Sequence, residues 1–136
     1  MQLLIVEDQP NDLRIAVKVA EESGYSTVEG ASSSAMARNR LEKGLAGEQP
    51  LPDAILLDLD LGFESGFEVL RYWHSEPRLF SIPLVVWSIL GGQYREICTM
   101  FRVRAYVNKG EDISLLRSVL SGLAPGQPGD PSVPQS

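Results

Sequence analysis

Two aliphatic runs, Leu3-Leu4-Ile5-Val6 and Ala54-Ile55-Leu56-Leu57, each end in acid, the first at Glu7-Asp8 and the second at Asp58. Runs of this length bounded by polar residues are the pattern of strands buried on both faces of a parallel sheet, where covering helices leave no side for polar residues. The carboxyl ends of such strands are where α/β folds assemble their sites. Close carboxylates repel by about 1 kcal/mol per pair in water and about 4 kcal/mol at an effective dielectric of 20, so three of them require a cation. An all-oxygen, partly hydrated ligand set suits magnesium.

From Gln2 to Leu123 strand-length apolar runs alternate with segments of helical period, the pattern of a parallel sheet flanked by helices. Strands are predicted from Leu3 to Val6, Ser26 to Glu29, Ala54 to Asp58, Leu84 to Ser88 and Ala105 to Asn108. The first helix starts near Pro10, carries Leu13, Ala16, Val17 and Ala20 on one face and ends before Gly24. The second follows the caps Ser32-Ser33-Ser34 and presents Ala35, Met36, Leu41 and Leu45. The third follows Gly66 with Phe67, Leu70, Arg71 and His74, and ends before Pro77, because the residue preceding proline avoids helical angles. The fourth runs from about Gly92 with Tyr94, Ile97, Cys98 and Phe101. The fifth carries Ile113, Leu116, Leu120 and Leu123, with Glu111 and Asp112 at its positive end. The expectation is a flavodoxin-like, doubly wound five-stranded parallel sheet of order 2-1-3-4-5 flanked by five helices. It occupies residues 1–123 as one domain, followed by a disordered Pro/Gly-rich tail over 124–136.

No apolar stretch approaches the ~20 residues that span a bilayer, and Met1 leads straight into a strand rather than a basic leader, so a cytoplasmic protein is expected. The net charge of −6, with 12 basic residues spread along 136, disfavours direct nucleic-acid binding. A single cysteine, Cys98, cannot form an internal disulfide, and zinc ligands are lacking. Cys98 and Trp87 read as core, and His74 as solvent-facing.

With a metal neutralising the cluster, one carboxylate is free to attack phosphorus, as aspartyl-phosphate enzymes do, and Asp58 is the candidate. A transferred phosphoryl group spreads charge over its oxygens and needs a cation and a hydroxyl donor. Lys109 and Ser88, at two further strand ends, meet those needs. Singly, Glu7-Asp8 could be a helix cap, Asp58 a loop cap and Lys109 a surface lysine; their coincidence at matching strand ends favours chemistry. An enzymatic alternative is a haloacid-dehalogenase-like magnesium phosphohydrolase, since Asp58-Leu59-Asp60 mimics its paired-aspartate motif. That motif belongs on a first strand with a following threonine, whereas Leu61-Gly62 follows here, and Glu7-Asp8 would have no role.

The pieces Leu4-Ile5-Val6-Glu7-Asp8, Asp53 to Asp60, Leu84-Val85-Val86-Trp87-Ser88 and Tyr106-Val107-Asn108-Lys109, with Gly66 where a loop glycine falls, resemble bacterial two-component response-regulator receiver (CheY-like) domains. The resemblance implies Glu7 and Asp8 as magnesium carboxylates, Asp58 as phosphoacceptor and Asp60 as donor of a backbone carbonyl to the metal. It also implies Ser88 as switch hydroxyl, Lys109 as the site lysine and Tyr106 as switch aromatic. Such a protein catalyses only its own phosphorylation and dephosphorylation. Its partner would be a sensor histidine kinase, and it would signal to a downstream protein through the face of the fourth helix, fifth strand and fifth helix. Within the family, Val6 to Asp12 and Glu76 to Pro83 are similar to the small regulators that accompany bacterial phytochrome kinases.

Four positions depart from the pattern: Gly62 and Gly110 stand where proline is usual, Ile89 replaces a small residue, and Trp87 is bulky for its strand. These read as changes in loop flexibility and access, with Ile89 slowing partner access or hydrolysis. A pseudo-receiver that only binds partners is a further alternative, disfavoured by retention of all five chemical groups. The charges Arg95, Glu96, Arg102, Arg104, Glu111, Asp112 and Arg117 are either a solvated face or a homodimer contact on the signalling face.

Overall fold

The computed structural model describes residues 1–62, 64–89 and 93–123. In chain order the elements are β1 (Gln2–Val6), α1 (Pro10–Glu22), β2 (Thr27–Ala31), α2 (Ser34–Leu45), β3 (Ala54–Leu57), β4 (Asp60–Leu61), β5 (Glu64–Ser65), α3 (Phe67–Ser75), α4 (Pro77–Phe80), β6 (Leu84–Ser88), α5 (Gln93–Met100), β7 (Ala105–Asn108) and α6 (Ile113–Leu123). The main sheet is parallel and ordered β2-β1-β3-β6-β7, the expected 2-1-3-4-5 once the short antiparallel ribbon β4-β5 is set aside. The predicted flavodoxin-like sheet is therefore present.

Alternate residues of each aliphatic run serve opposite faces, as a strand period of two requires. Leu4, Val6, Ile55, Leu57 and Val86 pack with Leu41, Leu70, Trp73 and Leu79, on the side of α2 and α3. Leu3, Ile5, Leu56, Val85 and Trp87 pack with Ala16, Val19, Ala20, Leu116 and Leu120 of α1 and α6 on the other. Both aliphatic runs, Leu3 to Val6 and Ala54 to Leu57, are buried along their whole length, which is why neither contains a polar residue until it reaches the edge.

Several boundaries differ from expectation. The second strand runs Thr27–Ala31 rather than Ser26 to Glu29, because pairing with β1 continues to the level of Val6 and Ala31. It is the edge strand and only Ala31 is fully buried, so its sequence alternates poorly. In α2 the inward positions are Ala37, Leu41 and Gly44, whereas Ala35 and Met36 are exposed. Ser33 is the cap, its hydroxyl accepting the Met36 N–H at 3.1 Å, and the helix phase follows from that start. The third helix ends at Ser75 as expected, but Pro77 then opens the separate turn α4, giving six described helices instead of five. Trp73 spans this break, donating its indole N–H to the Ile82 carbonyl at 2.9 Å.

The fourth predicted helix is α5, and Gly92 lies outside the described residues, as do Ile89's next neighbours at 90–91 and the tail 124–136. His74 is exposed as expected, although its ring also meets Phe80 and Phe101 edge-on at 5.2 and 5.0 Å. Asp112 caps α6 by accepting the Ser114 N–H at 2.9 Å. Arg117, on α6, reaches Glu22 of α1 at 3.4 Å. Among the described residues no helix is long and apolar enough to cross a membrane.

Candidate functional site

The sheet register brings the ends of four strands level. Val6 lies beside Leu57, Leu57 beside Val86, and Ser88 beside Asn108. The residues at or just past those ends therefore converge: Glu7 and Asp8 after β1, Asp58 after β3, Ser88 at the end of β6 and Lys109 after β7. The backbone fixes the last of these, since the Lys109 N–H donates to the Ser88 carbonyl at 3.0 Å.

Each oxygen of Asp58 has its own donors. Oδ1 accepts the Ser88 hydroxyl at 2.9 Å and the Asp60 N–H at 2.9 Å, and Oδ2 accepts the Lys109 ammonium at 2.8 Å. Lys109 also donates to Glu7 Oε1 at 2.6 Å and to Asp12 Oδ2 at 2.8 Å, and its Nζ lies 4.9 Å from the Trp87 ring centroid. Burial alone would lower the Lys109 pKa; its bonds to Asp12, Asp58 and Glu7 outweigh that and hold it above the usual lysine range. Asp12 was not foreseen. Its signal was its place in the first turn of α1, the helix that β1 launches from the edge carrying the site.

Burial pushes the Glu7 carboxyl up to about 7, with the Lys109 hydrogen bond opposing and the Asp58 charge reinforcing the shift. In the metal-free protein a carboxyl so raised contributes stability that is complete below its ordinary 4.5 and is lost as pH rises through about 7. A cation beside Glu7 must displace that proton, so magnesium affinity is expected to climb by up to tenfold per pH unit below about pH 7 and level off above it. Isothermal titration of magnesium at pH 6, 7 and 8 measures this.

Glu7, Asp8 and Asp58 each offer an oxygen within 4.8 Å of the others. Asp8 Oδ1 is buried and makes no hydrogen bond among the described residues, as expected for an oxygen shaped to meet a cation. Glu7 differs: both its oxygens are engaged, Oε1 by Lys109 and Oε2 by the Gln9 N–H at 3.2 Å. The donor set fits magnesium, with Asp8 the readiest ligand. Asp60 lies on the same cleft, its Oδ1 accepting the Gly62 N–H at 3.3 Å. The cleft measures about 320 Å³ and is lined by Asp8, Gln9, Asp12, Asp58, Asp60, Gly62, Ile89 and Lys109.

The loop departures have defined geometry. Gly62 has φ +72°, which proline cannot adopt, and the Gly110 N–H donates to Asn108 Oδ1 at 2.8 Å, a bond proline cannot make. Ile89 stands 66% exposed at the mouth of the cleft. Trp87 is buried, so it is core as expected, while also covering Lys109. Tyr106 is half-buried on β7, with the Arg95 guanidinium 5.4 Å from its ring centroid. Behind it, burial pushes the Cys98 thiol up to about 11, which leaves it unreactive.

Residues 3–121 match the family of response regulator receiver domains. The chain belongs to that family. The curated relative DivK, a polar-differentiation response regulator of Brucella anthropi, is 31% identical over 83 residues, which span 61% of this chain and 62% of DivK. Among solved structures, the phosphorylated cyanobacterial phytochrome response regulator RcpA superposes with a TM-score of 0.75 at 29% identity, over 90% of this chain and 89% of its own. The manganese-bound form of the response regulator Rcp1 gives 0.74 at 28% identity, covering 90% of each chain. This receiver is thus a two-component signalling domain with an acidic pocket compatible with magnesium and phosphoacceptance. Family membership also disfavours the dehalogenase-type alternative.

Proposed function

We propose that this receiver is a phosphoacceptor: Asp58 takes a phosphoryl group from a sensor histidine kinase, with magnesium bound, and the protein then signals by a change of shape. The observation that carries the reading is the Asp58 carboxylate held between the Ser88 hydroxyl and the Lys109 ammonium at the floor of an acidic cleft. The phosphorylated state of RcpA and the manganese bound by Rcp1 support it by likeness.

An oxygen of Asp58 attacks phosphorus as the P–N bond of the donor phosphohistidine breaks. The electron pair leaves on the imidazole nitrogen, which solvent protonates. Asp8, Asp58 and the Asp60 backbone carbonyl would hold magnesium, with Glu7 close by, and the bound cation would neutralise charge on the phosphoryl oxygens. Lys109 supplies the second cation. Ser88 is already hydrogen-bonded to Asp58, and its bond passes from Asp58 Oδ1 to a phosphoryl oxygen. That small shift is relayed to Tyr106, across the β6-β7 pair, and to the surface of α5, β7 and α6. There a downstream protein, or a second copy of the chain, would bind. RcpA is a phytochrome response regulator, and a phytochrome-type kinase is the proposed donor.

The experiment reads Trp87, whose ring lies against Lys109, in a Trp73→Phe background that removes the second tryptophan's emission. Magnesium followed by beryllofluoride should change the emission in a saturable way. The same change in Asp58→Asn would contradict the proposal.

A further inference from the structure

The Lys109 ammonium has three protons and three carboxylate partners, Glu7 Oε1 at 2.6 Å, Asp12 Oδ2 at 2.8 Å and Asp58 Oδ2 at 2.8 Å. Every donor is committed before a phosphoryl group arrives. To meet a phosphoryl oxygen, Lys109 must surrender one of these bonds. The three partners differ in what release would cost. The Glu7 side chain is 1% exposed and would be left buried beside unbalanced charge; Asp58, 4% exposed, hands its charge to the phosphoryl group only as its own bond to phosphorus forms, so it too keeps its need for Lys109 while the donor approaches. Asp12 is 33% exposed and can return to water.

Two further features separate Asp12 from the others. It stands in the first turn of α1, where the helix dipole favours a free carboxylate. It is also outside the group of three acids whose oxygens come together for a cation. Yet it lines the same cleft, so its charge faces the approaching donor.

We propose that Asp12 is a displaceable counter-ion: it holds Lys109 at rest, yields it to the incoming phosphoryl oxygen, and thereby sets how readily Asp58 is phosphorylated. This rests on the reading of Asp58 as phosphoacceptor. Asp12 is a positioning residue whose influence acts through Lys109 and through its own negative charge. The charge has opposite effects on the two ligands of the cleft. It attracts magnesium and repels the anionic phosphoryl donor.

The test uses Asp12→Asn, which keeps size and hydrogen bonding but removes the charge, and Asp12→Glu, which keeps the charge. Acetyl phosphate is the donor, so that the P–O bond breaks and acetate leaves. At saturating magnesium, Asp12→Asn should be phosphorylated about fivefold faster, mainly through a lower half-saturating acetyl phosphate concentration, while requiring more magnesium for half-saturation. Asp12→Glu should return both values toward wild type. Slower phosphorylation of Asp12→Asn would make Asp12 an aid that holds Lys109 in its working position, and would overturn the proposal. An unchanged rate with a lower melting temperature would make it a helix-start acid only, and would overturn it equally. If wild type itself accepts no phosphoryl group, the phosphoacceptor reading falls too; if wild type does and Asp12→Asn matches it, only the counter-ion assignment falls.

Discussion

Lys109→Met is expected to slow phosphorylation by a factor of about 100 to 1,000 and to destabilise the metal-free protein by about 3 kcal/mol. The rate effect follows from losing the one cationic side chain that touches Asp58 among the described residues. The stability effect follows from burial, since methionine fills the lysine's volume but leaves Glu7 and Asp58 buried without their cation. Because Glu7 already holds its proton up to about pH 7, lowering the pH lets it stay neutral, and the variant should recover part of its stability at pH 5.5. Magnesium at pH 8 should also restore part of it. Urea unfolding with and without magnesium, paired with acetyl phosphate kinetics, measures both effects. A metal-free variant as stable as wild type at pH 8 would contradict the charge balance described for the cleft.

Gly66→Ala is expected to cost about 2 to 3 kcal/mol and to impair phosphorylation together with stability. The backbone at Gly66 is helical, so conformation is no obstacle. Space is. A Cβ there would run into the Asp58 carbonyl oxygen and come within 2.8 Å of Leu59 Cα, and these are backbone atoms that cannot step aside. The Gly66 N–H also donates to the Leu59 carbonyl at 2.9 Å, tying the start of α3 to the chain that carries Asp58. Relieving the clash therefore moves the phosphoacceptor segment or the helix. Gly62→Ala makes the useful contrast, since its penalty comes mainly from φ +72° at an exposed turn and should be about 1 kcal/mol, the added Cβ meeting only the end of a side chain, Asp8 Oδ2 at 3.0 Å, rather than backbone. Thermal unfolding of the two variants distinguishes a close-approach glycine from a conformational one, and equal losses would refute the distinction.

The sheet and four of the strand-end groups were legible because they depend on short-range patterning. An aliphatic run that must be buried on both faces stops where the chain leaves the sheet, so Glu7, Asp8, Asp58 and Ser88 mark those exits in the sequence itself. The second strand was misplaced for the complementary reason: an edge strand with exposed positions carries little pattern. The Pro77 turn, the β4-β5 ribbon and the phase of α2 depend on caps and packing that a hydrophobic period does not encode. The inner arrangement of the cleft was the least legible. The Asp12 to Lys109 bond joins residues 97 apart in the chain, and the place of Asp12 in the first turn of α1 marks the edge it sits on but not its partner. The sequence likewise treated Glu7 and Asp8 as equals, whereas the fold spends both oxygens of Glu7 on Lys109 and Gln9 and leaves Asp8 Oδ1 without a partner among the described residues. Gly62 and Gly110 are a similar case. They stand out as departures, and only the positive φ of one and the N–H bond of the other give them a purpose.

The most direct test of the central claim is the intact mass of the protein after incubation with magnesium and acetyl phosphate. Wild type should gain the mass of a single phosphoryl group, lose it on treatment with hydroxylamine as an acyl phosphate does, and gain nothing when magnesium is chelated. Asp58→Asn should remain unmodified under every condition. An unmodified wild type, or the same added mass on Asp58→Asn, would contradict the account.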